Sequence, residues 1–288
     1  MHTIENDFLR VSMQDAGAEL ISIYNKSSKI EHLWQAEPQW WDWHAPVLFP
    51  VVGRCLNDKI QVNGKIYEME KHGFARKSIF KPIATHPSSI TFSLTANENS
   101  LRHFPFFFEF RITFQLKDNV LIQTFEVVNS DKKNLYFSLG AHPAFRVPFF
   151  SQEDFSDYFV EFEHQEILTR NYINSEGYFD GRTSVVSTNG VIHLQPALFK
   201  DDALIFKTHQ SRWVALKSKG NRHGVKVSFP SFPYLGIWTK PGAPYVCIEP
   251  WFGCADTLHS PTDFTRKEGI LHLPTGERFL ASIFIETC

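Results

Sequence analysis

The chain has 288 residues, a formal net charge of −2, 43% hydrophobic residues and 28 phenylalanines. Near-neutral charge leaves no electrostatic footprint for nucleic acid or for an anionic membrane surface. No apolar run is long enough to span a bilayer, and the opening "MHTIENDFLRVSMQ" carries acidic residues without an apolar core, which argues against a secretory signal and for a cytoplasmic protein.

Taken in chain order, the predicted elements are strands. "QVNGKIYEM" sets Asn63-Gly64 between short apolar segments, the residue pair that a tight two-residue hairpin demands. "ITFSLTA" (90–96) reads as a strand. In "FEFRITFQL" (108–116), Phe108, Phe110, Ile112, Phe114 and Leu116 alternate with Glu109, Arg111, Thr113 and Gln115, the period of a half-buried strand. The turn residues "KDN" (117–119) follow, and "VLIQTFEVVN" resumes the alternation. "FVEFEH" (159–164), "VIHL" (191–194) and "RWVALKS" (212–218) are further strands, whereas "LTRNYINSEGYFDGRTSVV" (168–186) is polar and turn-rich and reads as a long surface excursion. No amphipathic helix longer than a turn or two is evident, and no low-complexity linker divides the chain. Strands at short spacing from end to end imply one all-β domain over residues 1–288, a large sandwich or barrel-like stack. Its aromatic excess suits sheet packing.

Cysteines and known signatures narrow the chemistry. Cys55, Cys247, Cys254 and Cys288 are too few and too scattered for a disulfide framework, and Cys247 and Cys254 lack the second pair a zinc site would need. There is no GxSxG elbow, no phosphate-binding glycine loop and no HExxH. No metal and no cofactor are expected.

Four stretches hold groups able to move a proton or grip a polar ligand. In "SLGAHPAF" (138–145), Gly140 and Pro143 restrict the backbone around His142, which near neutral pH can donate or accept; a satisfied core histidine is the alternative. In "VCIEPWFG" (246–253), Glu249 ends an apolar run against Trp251, where burial would raise its pKa and suit it to act as a base; a structural ion pair is the alternative. The Asn63-Gly64 hairpin brings "FPVVGRCLND" toward "EKHGFARKS", so Arg54, His72 and Arg76 suit sugar hydroxyls or a phosphate, unless the arginines pair with carboxylates. Asp201 and Asp202 in "FKDDALIF" head a strand, as ligand acceptors or as a turn pair.

The order of "GAELISIYNKSSKIEHLW", "FPVVGR", "HGFAR", "GAHPAF", "CIEPW" and "GILHLPTGERF" resembles the aldose 1-epimerases, the galactose mutarotase family, and within it the short LacX-like branch. The resemblance implies a β-supersandwich and a cofactor-free interconversion of the α and β anomers of an aldose. In that scheme Glu249 removes the proton of the C1 hydroxyl, His142 protonates the ring oxygen, the ring opens, and closure on the other carbonyl face gives the second anomer. His72, Arg54 and Asp202 (or its neighbour Asp201) would bind the sugar, with Trp251 flanking it. "AHPAF" replaces the "NHTYFN"-like segment of the better-known galactose mutarotases. "HGFAR" is shared instead with the hexose-6-phosphate mutarotases, which makes Arg76 a candidate for holding a phosphate. The expected partner is a hexose, phosphorylated or free, bound by a monomer or homodimer. A sugar-binding protein without turnover and a glycoside-processing enzyme are the competing classes; the second normally needs two carboxyl groups, and only Asp202 offers the other one.

Overall fold

The period-2 pattern of "FEFRITFQLK" becomes the strand Phe108–Lys117, buried at every second residue, paired antiparallel with Val120–Asn129 across a turn in which Asp118 has φ +52°. The Asn63-Gly64 hairpin joins Lys59–Val62 to Lys65–Glu68, with φ +51° and +78° at the two turn residues, as the turn type requires. The computed structural model describes residues 1–288 and contains a single short α-helix, Glu98–His103, capped by Asn97.

Two large antiparallel sheets carry the fold. The nine-stranded sheet runs Val191–His193, Tyr158–Phe162, Trp213–Ser218, Gly224–Ser228, Arg278–Thr287, Val120–Asn129, Phe108–Lys117, Ser89–Thr95 and Lys81–His86. The eight-stranded sheet runs Phe179–Ser187, Leu168–Ile173, Leu204–Phe206, Tyr234–Trp238, Tyr245–Phe252, Leu139–Ala141 and Val47–Leu48, with Ala144–Arg146 also paired to Tyr245–Phe252. This is the β-supersandwich, in one large unit: a core cluster of 64 residues extends from Ile4 to Ile285. Ring pairs bridge the sheets, among them Phe162–Phe206 and Phe252–Phe279 at 5.5 and 5.1 Å between centroids. Phe49 sits among Phe74, Phe104, Phe108, Phe110 and Phe137, which accounts for much of the phenylalanine excess. No helix is long and apolar enough to cross a membrane.

Residues 168–186 correct the expectation of a surface excursion. They form Leu168–Ile173 and Phe179–Ser187, a hairpin at one edge of the eight-stranded sheet. Alternation is hidden there because a buried position is filled by Arg170 and the edge strand faces solvent along most of its length.

The strand Tyr245–Phe252 is buried at all eight positions. Val246, Ile248 and Phe252 join the core between the sheets. Tyr245, Cys247, Glu249 and Trp251 project from the opposite face, and other side chains cover that face too. One strand thereby belongs to the core on one side and to a cavity on the other.

Phe110 is fully buried against Phe49, Phe80 and Phe125. Phe110→Ala should cost about 3–5 kcal/mol of stability, read as a lower urea midpoint with an unchanged slope.

Candidate active site

The floor of the cavity is a lattice of side chains set by register. On one side of Tyr245–Phe252, the neighbours of Cys247, Glu249 and Trp251 are Trp238, Gly236 and Tyr234. On the other side Ala144 faces Cys247 and Gly140 faces Trp251. Leu139–Ala141 and Ala144–Arg146 keep one register across the break at His142-Pro143, which places His142 opposite Glu249. Proline has no N–H for the ladder, so the pairing lapses there. The two glycines are required by Trp251: a Cβ at Gly140 or Gly236 would lie 2.6 Å from the indole. The ring spreads over both, and the carboxyl beside it has a flat apolar neighbour.

His142 Nε2 lies 3.0 Å from Glu249 Oε2, with both residues buried. The two are cross-strand neighbours in direct contact. Burial, reinforced by the charge of Asp202, pushes the Glu249 carboxyl well above the usual carboxylate range. Burial, with Lys71 and Arg76 nearby, holds the His142 imidazole down, to about 3. Both causes favour uncharged forms, so near neutral pH the pair holds one proton between them.

The rim is built from turns. His72 and Gly73 adopt φ +69° and +71°, and a Cβ on Gly73 would collide with the Phe49 carbonyl. This turn aims His72 at the cavity, 6.0 Å from His142 between ring centroids. The Gly53 N–H donates to His72 Nδ1 at 3.2 Å, which leaves Nε2–H free to donate. Arg76 donates to the Lys71 carbonyl, lies over the Trp43 ring, and keeps a buried Nε without a partner.

Asp202, at φ +70°, lines the cavity, whereas Asp201 does not. Of the two aspartates the sequence left open, only Asp202 borders the cavity. Their turn is held by Arg170, which is buried and donates to the carbonyls of Leu198, Asp201 and Asp202.

Arg54 pairs with a carboxylate, one of the two readings the sequence left open. Its guanidinium grips Asp58, with Nε to Oδ1 at 2.7 Å, and donates to the Glu176 carbonyl. It lies outside the inner cavity, in a wider outer groove. The carboxylate four residues later wins the arginine because it stands within reach of both fork nitrogens.

The inner cavity is about 210 Å³, below the range of about 300–1,000 Å³ for drug-sized ligands and suited to a small polar molecule. Trp41, Trp238, Ile173, Phe179 and Ile205 wall it. The Trp41 ring lies 5.0 Å from His142 at a shallow tilt. Sequence reasoning passed over Trp41, Trp238, Lys71 and Arg170. The signal for Trp41 was available: "WWDW" (40–43) is a dense aromatic cluster in an otherwise polar loop. Lys71, Gly177 and Asp202 border both the inner cavity and the outer groove, which is about 810 Å³ and lined by charges of both signs.

The sequence profile described as aldose 1-epimerase matches residues 1–272. The chromosomal protein LacX of Lactococcus lactis subsp. lactis is 32% identical over 270 residues, covering 88% of each chain. A galactose mutarotase related enzyme from Lactobacillus acidophilus superposes with a TM-score of 0.95 at 37% identity, over 100% of this chain and 97% of that one. A galactose mutarotase-like protein from Lactobacillus casei does so at 0.94 and 31%, over 100% of both.

The shared proton has a consequence for stability. An unfolded glutamate deprotonates near 4.5 and an unfolded histidine near 6.5. Folded Glu249 keeps its proton above 4.5, so its contribution falls as pH rises. Folded His142 stays neutral from about 3 upward, so its contribution rises with pH up to 6.5. The two oppose each other between 4.5 and 6.5, and above 6.5 only Glu249 acts. Urea unfolding at pH 6.5, 7.5 and 8.5 should show wild type losing stability relative to Glu249→Gln as pH rises; parallel curves would mean the carboxyl is ionised in the folded chain.

Proposed function

The chain belongs to the aldose 1-epimerase family, and from that premise we propose that it interconverts the anomers of a hexose by acid–base ring opening, with Glu249 as base and His142 as acid. Family and fold support a mutarotase-type carbohydrate isomerase acting on a sugar. The observation that carries the mechanism is the 3.0 Å contact between two buried groups whose surroundings disfavour charge on either.

Ring opening needs a carboxylate for the C1 hydroxyl and an imidazolium for the ring oxygen. Moving the shared proton from Glu249 to His142 supplies both without changing the charge of the cavity. Substrate hydroxyls drive that transfer because they replace lost solvation for the two ions. The carboxylate then takes the C1–OH proton, a carbonyl forms at C1, the C1–ring-oxygen bond breaks, and His142 protonates the departing oxygen. The pair ends in its uncharged form, the one burial favours. Rotation about C1–C2 and reversal of both transfers give the other anomer. His72 Nε2–H and Asp202 are positioned for sugar hydroxyls, and Trp251 for the ring face.

Arg76 and Lys71 are the cations at the inner cavity, and Arg76 keeps a donor unused. They support a hexose carrying an anionic group as the preferred substrate. Arg54 is committed to Asp58 and is not assigned to the sugar.

Polarimetry on freshly dissolved α-glucose, α-galactose and glucose 6-phosphate tests the reading. Wild type should accelerate anomer exchange, and Glu249→Gln and His142→Asn should each lower kcat by about 10²- to 10⁴-fold. Sugar binding by calorimetry with exchange no faster than buffer would make the protein a binder without turnover. Arg76→Met should raise KM for the phosphorylated sugar by at least about tenfold, the worth of one charge-assisted hydrogen bond, while sparing the free sugar. Equal effects on both would remove the phosphate role.

A further inference from the structure

Cys247 has no part in the proton transfers above, yet it stands beside them. It precedes Glu249 by two residues on one strand, so both side chains leave the same face, and His142 is the cross-strand neighbour of Glu249. One ligand atom from each residue — a ring nitrogen, a carboxylate oxygen and the thiol sulfur — lies within 4.8 Å of the other two, and all three residues are buried. Nitrogen, oxygen and sulfur donors together suit a borderline-soft divalent cation, and three protein ligands with an open fourth position is the arrangement zinc adopts where it meets small molecules. His142 and Glu249 line the inner cavity, which supplies the entry path and the fourth position. Bond lengths near 2.0–2.3 Å call for ligand atoms about 3.3–3.7 Å apart in a tetrahedron, so a bound ion requires the 3.0 Å His142–Glu249 contact to widen by a few tenths of an ångström. Charge also balances: a thiolate and a carboxylate cancel the two positive charges, leaving a neutral complex in a cavity that disfavours net charge.

We propose that His142, Glu249 and Cys247 form an inhibitory site for a thiophilic divalent cation, with Zn²⁺ as its probe. Metal-binding histidines nearly always donate their second nitrogen to a partner, and His142 Nδ1 has none. The site is therefore built for reversible capture, with no supporting shell to retain an ion. A bound cation occupies the nitrogen and the carboxylate that ring opening uses, so it competes with sugar. That inhibitory consequence rests on the mutarotase reading; binding itself does not.

The full chain, stripped of metal, is titrated with ZnCl₂ by calorimetry and with CoCl₂ by absorption. Wild type should bind one Zn²⁺ and show a thiolate-to-cobalt charge-transfer band. Cys247→Ser should abolish the band and weaken Zn²⁺ by more than about 100-fold, since loss of an outer-shell partner alone costs up to that much. Glu249→Gln should weaken Zn²⁺ independently and serves if the serine variant does not fold. Cys288→Ser, which removes the exposed thiol, should change nothing. Cys247→Ser should also keep anomer exchange and become insensitive to Zn²⁺. Zinc bound equally well by Cys247→Ser or Glu249→Gln, a band lost in Cys288→Ser, or no binding by wild type at millimolar Zn²⁺ would each overturn the site. A Cys247-dependent band in a protein that accelerates no sugar tested would leave the metal site standing and remove only the catalytic reading.

Discussion

Burial of the Glu249 carboxyl against the His142 imidazole is the constraint on which the rest of the site depends. Neither group can carry charge cheaply in that place. Each is instead held in its uncharged form, with its partner at hydrogen-bond distance. The walls follow from this. Trp41 and Trp238 close over the imidazole, and Trp251 lies beside the carboxyl, so bulk water does not level the two proton affinities. Gly140 and Gly236 follow from Trp251, because any side chain at either position would lift the indole from the sheet.

The scaffold meets the constraint by burying one strand on both faces. Tyr245–Phe252 contributes alternate residues to the core between the sheets, so the residues between them are held as stiffly as a core allows. Glu249 therefore sits on the sheet and His142 in a two-residue break between strands of one register, so register sets both positions. The side chains proposed for sugar hydroxyls sit on turns, His72 on a left-handed pair and Asp202 on a turn tied down by Arg170, and Trp41 covers the imidazole from an aromatic loop. This division suits a reaction whose proton positions cannot drift while its ligand must enter and leave.

Charge is distributed unevenly around the cavity. Arg54 and Lys77 are neutralised by Asp58 and Glu70 in the outer groove, while Arg76 and Lys71 face the inner cavity. Those two help keep His142 and His72 uncharged. The same cations are the counter-charge proposed for an anionic substituent, so in that reading one pair of side chains bears on both proton affinity and substrate choice. Cys247 packs among Trp34, Ala144 and Tyr245 and places a third donor beside His142 and Glu249.

The amino-acid order by itself determined the class of fold, because two-residue alternation in stretches such as Phe108–Lys117 permits only a half-buried strand, and Asn63-Gly64 permits only a tight turn. It also singled out His142 and Glu249, each a titratable residue beside a proline within an apolar run. It could not show that they touch. That required the register of two strands more than 100 residues apart, preserved across a proline break, and register is a property of pairing that neither strand carries alone. Leu168–Ile173 and Phe179–Ser187 were hidden for a related reason: Arg170 looks solvent-bound until the carbonyls of Leu198, Asp201 and Asp202 come within its reach. The Arg54–Asp58 pair likewise became visible only in the tertiary structure. Local periodicity is written in the chain because it is enforced by local geometry. The partner of a buried charge is not, because burial itself exists only once distant segments have packed.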